Sequence, residues 1–254
     1  MFIRPLAAPE REFAQPPCEH DSAMLACVYT ALFVIVPTLA LWYAHHAAHG
    51  ALFFNWTYLL LSLFVVINSM IAVWEMSLHV YSKHITSSFQ QLKKRHEKDT
   101  FPPVFMFAHV PLAEALSLKY WSNVWILYSF FDESYADPKS YGFWIDSGNG
   151  FTTLLPGVVF VLGLTYDLMD PRHLGLLGMI QFYQEFYGTV LYFWSFFYNR
   201  RWRDHGWRGG RVAQIFALVI VSNGIWFAGP GLGMYVSYRL CMEGAPALAL
   251  VRSV

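Results

Sequence analysis

Glu75 lies inside an apolar run, NWTYLLLSLFVVINSMIAVWEMSLHVYS (55–82), that otherwise reads as a membrane helix. A charged side chain at the centre of such a helix costs about 2.5–3.5 kcal/mol on insertion scales, so an ionisable group there points to function. His79 follows one turn later, Asn68 precedes the acid by two turns, and Trp74 is its neighbour. At about 100° per residue Asn68, Glu75 and His79 share one side of the helix. An acid, an imidazole and an amide on one stripe make one wall of a proton-handling pocket.

Other apolar runs carry matching stripes. In LGLLGMIQFYQEFYGTVLYFWSFFY (174–198), Gln181, Glu185, Gly188 and Tyr192 follow helical spacing, with Gln184 and Tyr187 beside them. Asn223, Trp226 and Pro230 share a face further on, and Asp146 and Asn149 fall in the Gly-containing segment FWIDSGNGFTT. A carboxyl group in apolar surroundings favours its neutral form, which is a proton donor. Two such groups on different helices can protonate an apolar substrate and remove a proton elsewhere on it. Glu75 is the expected acid, assisted by His79 and Asn68, and Asp146 or Glu185 is the expected second carboxylate. Trp226 and Tyr187 would shield a cation, an interaction that reaches about 2 kcal/mol when desolvated. Gln181, Gln184 and Asn223 equally suit interhelical hydrogen bonds of about 0.6–2 kcal/mol.

The elements that must hold these groups are membrane helices. Only 13% of the 254 residues are charged and 56% are hydrophobic, against about 25% charged in soluble domains. Five spans of about 20 apolar residues are predicted, near 24–44, 56–81, 149–169, 174–198 and 212–236, in an all-α helix bundle. Residues 102–131, broken by Pro102, Pro103, Pro111, Glu114 and Lys119, read as an interfacial or re-entrant segment. This arrangement puts the basic runs around Lys83–Lys98 and Arg200–Arg211 on one side, as the positive-inside rule requires, and makes the N-terminus cytoplasmic. Residues 1–23 form a polar tail with no pattern of a cleaved leader, 24–240 the membrane domain, and 241–254 a C-terminal tail.

Several classes find no motif. Net charge is zero, and the basic runs suit membrane anchoring rather than nucleic acid. The three cysteines, Cys18, Cys27 and Cys241, suggest neither disulfides nor zinc. His45 and His49 in HHAAH have metal-ligand spacing, but no second histidine cluster accompanies them, so no metal and no cofactor is expected. Expected partners are membrane lipids and an apolar lipid substrate; a homodimer is compatible with the sequence.

EFYGTVLYF (185–193), a charged loop, and SNGIWFAGPGLGMYVSYRL (222–240) together resemble the sterol Δ8–Δ7 isomerase (emopamil-binding) family of the EXPERA superfamily. The segment ESYADPKSYGF before the third span adds to the likeness, which covers roughly 130–240. The resemblance implies five helices around a cavity admitting sterols or terpenoids from the lipid, membrane acids that protonate a double bond, and Asn223 and Trp226 beside the carbocation. The Trp74–Glu75 order is similar to that of the fungal membrane-bound terpene cyclases, which protonate an epoxide or olefin. Isomerase or cyclase chemistry on an isoprenoid is therefore expected, with non-catalytic sterol or lipid binding and trafficking as the alternative. The membrane would be the endoplasmic reticulum in a eukaryote or the inner membrane in a bacterium.

Overall fold

The computed structural model describes residues 23–50, 55–95, 104–201 and 212–252. Almost all of the N-terminal tail and most of the 199–211 basic loop, with Gly209 and Gly210, lie outside the described residues. Helices dominate: α1 (Ala26–His49), α2 (Trp56–Val80), α3 (Ser82–Arg95), α4 (Leu118–Tyr128), α5 (Tyr141–Thr152), α6 (Leu154–Tyr166), α7 (Pro171–Tyr198) and α8 (Val212–Glu243). The strands are two residues each, β1 (Met24–Leu25) and β2 (His109–Val110), paired antiparallel. They tie the start of α1 to the segment after residue 104.

Among the described residues, three helices are long and apolar enough to cross a membrane: α1, α2 and Val219–Glu243 of α8. The α5–α6 pair makes a fourth if it is taken as one bent span. α7 has 28 residues but is diluted by Gln181, Gln184, Glu185 and its tyrosines. α1 leaves Leu32, Phe33, Ile35, Val36 and Leu39 exposed. A contiguous apolar surface of this kind needs a partner or a lipid.

The third predicted span, 149–169, takes in the last turn of α5 and all of α6, which meet at a bend of 44°. Pro156 explains the break, because its ring clashes with the carbonyl four residues back and it donates no hydrogen bond. α7 starts as its sequence dictates: the Asp170 side chain accepts from the Arg172 amide at 2.9 Å, and Pro171 occupies the first helical turn. Within 104–131 the longest helix is α4, with 11 residues. At 1.5 Å per residue that is about 16 Å, too short to cross a hydrocarbon core of about 30 Å.

α2 is the centre of the bundle, contacted by α1, α4, α5, α6 and α8. Two apolar clusters divide its length. One gathers Trp74, Leu78, Trp121, Trp125, Tyr135 and Phe196; the other gathers Tyr58, Leu61, Phe64, Phe160, Phe182 and Leu240. α7 and α8 pack closely because Gly175 abuts the α8 backbone: a Cβ there would lie 2.7 Å from Ser237 O and Cys241 N. The last described residues are not a free tail. Ala247, Leu248 and Val251 are buried, and Val251 O and Leu250 O engage His45 and Asn55 at 2.9 and 3.1 Å.

Candidate functional site

Glu75 stands five residues before the end of α2 at Val80, about 7.5 Å along the axis at 1.5 Å per residue. It is therefore nearer one end of the helix than its middle. Polar α3 with its lysines continues beyond that end. The Glu75 side chain is buried, and among the described residues nothing hydrogen-bonds to its Oε2. Buried polar atoms without partners are rare in folded proteins and call for an explanation.

The explanation is a cavity of about 210 Å³ in front of it. Glu75, Trp74 and Ile71 of α2 form one wall, and Asp146 and Asn149 of α5 another. Thr189 and Tyr192 of α7, and Ser222, Asn223 and Trp226 of α8, close the far side. Trp125 and Tyr128 of α4, with Tyr135, complete the lining. Two carboxyl groups from different helices thus face one small, aromatic-walled space.

Local packing explains the position of each wall. Gly150 sits directly on α2: a Cβ there would lie 2.7 Å from Met76 N and 2.8 Å from both Ala72 O and Glu75 Cβ. Only glycine lets α5 come this close, and this contact brings Asp146 and Asn149 beside Glu75. Gln184 Nε2 donates to Asn149 Oδ1 at 3.1 Å and to Thr152 Oγ1 at 2.6 Å, fixing the amide. α4 is fastened over the acid by Trp125, whose Nε1 donates to Trp74 O at 2.6 Å. Trp121 stacks on Trp74 with ring centroids 5.2 Å apart.

Trp226 is held from behind. Its Nε1 donates to Asn68 Oδ1 at 3.0 Å, and Asn68 Nδ2 donates to Glu185 Oε1 at 2.7 Å. Gln181 Nε2 donates to that same oxygen. Three helices are joined by this chain, and it ends at an indole that forms part of the cavity wall.

The predicted site residues therefore divide. Glu75, Trp74, Asp146, Asn149, Asn223 and Trp226 line the cavity. Asn68 and Glu185 lie behind it, binding each other. His79 and Tyr187 do not reach it. His79 is exposed, with its ring 5.8 Å from Trp144 and 5.7 Å from Phe151. It shares Glu75's angular stripe but sits one turn further along, about 6 Å at 1.5 Å per residue. Tyr187 is 48% exposed and stacked on Tyr183, because two residues past Glu185 is roughly the opposite side of a helix. His45 and His49 bond the carbonyls of Val251 and Thr165 at the other end of α1. No group of metal-ligating residues occurs among the described residues.

A tyrosine cluster was not anticipated. Asn223 Nδ2 donates to Tyr128 Oη at 2.9 Å, Tyr192 Oη donates to Asp132 Oδ2 at 3.1 Å, and both phenols line the cavity. Tyr135 and Asp146 line the same cavity. Burial pushes the Tyr128 and Tyr135 phenols above their ordinary range, so both are neutral hydroxyls.

A second, larger cavity of about 540 Å³ lies between α1, α2, α6 and the short helix at 112–115. Its walls are apolar apart from Ser69, and Trp74 lines both spaces. Comparison with family models, with characterised proteins and with solved structures returns no match, so function must be argued from this geometry.

Proposed function

We propose that the protein is an integral membrane isomerase or cyclase that acts on a sterol or terpenoid by protonation, in a five-span bundle with the N-terminus on the basic side. One observation carries the reading. Glu75 and Asp146, from different helices, face one aromatic-walled cavity, and Glu75 Oε2 has no hydrogen-bond partner among the described residues.

In the proposed reaction Glu75 gives its proton to a double bond or epoxide oxygen of the substrate, leaving a carboxylate on Glu75 and a cation on carbon. A C–H bond beside the cation then breaks, its electrons form the new double bond, and Asp146 takes the proton. Trp226, Trp125 and Trp74 line the space in which the cation would form, and the Trp226–Asn68–Glu185 chain keeps one ring in place. The neighbouring apolar chamber suits the substrate's hydrocarbon part.

The test starts with lipids that copurify with the protein, identified by mass spectrometry. An isoprenoid among them is then supplied in deuterated water. The expected product carries one solvent deuterium, and Glu75→Gln yields none. Tight binding without deuterium uptake supports the alternative, a non-catalytic lipid-binding protein, which the almost entirely apolar lining of the larger chamber favours.

A further inference from the structure

We propose that the Trp74 indole is a movable partition between the acid cavity and the larger apolar chamber, and that it decides which lipids reach Glu75: those whose reacting group ends an open hydrocarbon chain. This inference rests on the acid-donor reading above and adds to it a route of entry and a shape for the substrate.

The acid cavity does not hold a lipid by itself. Its volume is about 210 Å³, below the roughly 300–1,000 Å³ of pockets that enclose drug-sized ligands. Nor do the described residues give it a mouth, since all those lining it are buried or half-buried. The apolar chamber supplies both room and mouth. It measures about 540 Å³, and Phe33 and Leu116 stand in its wall while 41% and 62% exposed. Pro37 of α1 lines it beside them. Having no N–H, Pro37 leaves the Phe33 carbonyl without its helical partner, so α1 lacks one of its own hydrogen bonds at the opening.

The two spaces meet at one side chain. Trp74 is the single residue, among those described, that lines both. Its ring stacks on Trp121, which lines the chamber, and its carbonyl is bonded by Trp125, which lines the acid cavity. The neighbouring indoles are tethered through Nε1: Trp121 to Ala115 O at 2.8 Å, Trp125 to Trp74 O at 2.6 Å and Trp226 to Asn68 Oδ1 at 3.0 Å. Trp74 Nε1 has no hydrogen bond among the described residues. The surrounding rings are fixed, and the ring between the two spaces is held by packing alone. It can change rotamer without giving up a hydrogen bond. A tryptophan that only filled the core would not border two cavities.

The shape of the ligand follows. An open chain passes such a partition one methylene at a time, whereas a fused-ring skeleton must displace the indole across its full breadth. The chamber, apolar apart from Ser69, then keeps the tail out of water while the reacting end meets Glu75.

The test uses covalent probes in place of a substrate. Thr189 of the acid-cavity wall is replaced by cysteine in the full chain, with Cys18, Cys27 and Cys241 changed to alanine, in lipid nanodiscs. N-octylmaleimide carries an open chain and N-(1-pyrenyl)maleimide a flat fused-ring system. Labelling is followed by intact mass, each rate being divided by that probe's rate at Leu155→Cys, an exposed site. With Trp74 in place the pyrenyl probe should label more slowly than the octyl probe by about tenfold or more. Trp74→Ala should bring the two rates together. Trp74→Phe, which keeps a ring on Trp121 should the alanine variant not fold, should bring them part-way. Leu116→Trp, at the opening, should slow both probes. Equal rates for the two probes with Trp74 in place would overturn the partition. So would rates indifferent to Trp74 and Leu116, or no octyl labelling in any variant. None of these outcomes touches proton transfer from Glu75, which the deuterium experiment tests separately.

Discussion

Trp226 Nε1 of α8 donates to Asn68 Oδ1 of α2 at 3.0 Å. An indole that would otherwise rotate in a cavity is thereby fixed in one plane. The Asn68 amide is committed on both sides, because its nitrogen binds Glu185. A polar chain behind the wall thus sets the geometry of an aromatic face in front of it.

Breaking that chain should cost more than one hydrogen bond. Asn68→Leu strands the indole N–H, a penalty of about 1–3 kcal/mol, and leaves the Glu185 oxygen to Gln181 alone. Thermal unfolding in detergent should show the loss, and turnover should fall by more than ligand affinity. Unchanged stability and turnover would mean the chain positions nothing.

Glu75→Gln keeps shape and most polarity but removes the transferable proton. Turnover should vanish while ligand affinity stays within about tenfold, or 1.4 kcal/mol. Full turnover in this variant would relocate the donor to Asp146.

Gly150→Ala should force α5 away from α2, because its Cβ would stand 2.7–2.8 Å from backbone atoms at Ala72 and Met76. Overpacking of this kind costs about 1–3 kcal/mol, and here it also displaces Asp146 from Glu75. Gly148→Ala, with no atom within 4 Å of its Cβ, is the matched control and should leave both stability and activity intact.

Five spans require Lys93 and Arg200 to face the same compartment. Single cysteines at the two positions should be labelled from one side only by an impermeant reagent. Labelling from opposite sides would exclude the five-span arrangement.

The sequence exposed Glu75, Asp146, Asn149, Asn223 and Trp226 because each is a polar or indole group set in an apolar run at helical spacing. His79 fits the same spacing and still misses the cavity. Angular periodicity says nothing about where along a helix a pocket ends. Tyr128, Tyr135 and Asp132 gave no such signal. They sit on an 11-residue helix and the turn after it, in a stretch interrupted by Pro and charge. Their place is set by tertiary docking, above all the Trp125 bond to the Trp74 carbonyl. The bend before α6 was legible in Pro156 but concealed by the uniform hydropathy around it.

The shallow seat of Glu75 has an electrical consequence. A charge crossing the whole bilayer experiences about 2.3 kcal/mol per 100 mV. Glu75 lies about 7.5 Å from the helix end, roughly a quarter of a hydrocarbon core about 30 Å thick. A proton moving between that end and Glu75 therefore crosses only about a quarter of the field, on the order of 0.6 kcal/mol per 100 mV. That is close to thermal energy. On the proposed reading, with the end of α2 at the membrane surface, the protonation state of the cavity would be almost decoupled from membrane voltage.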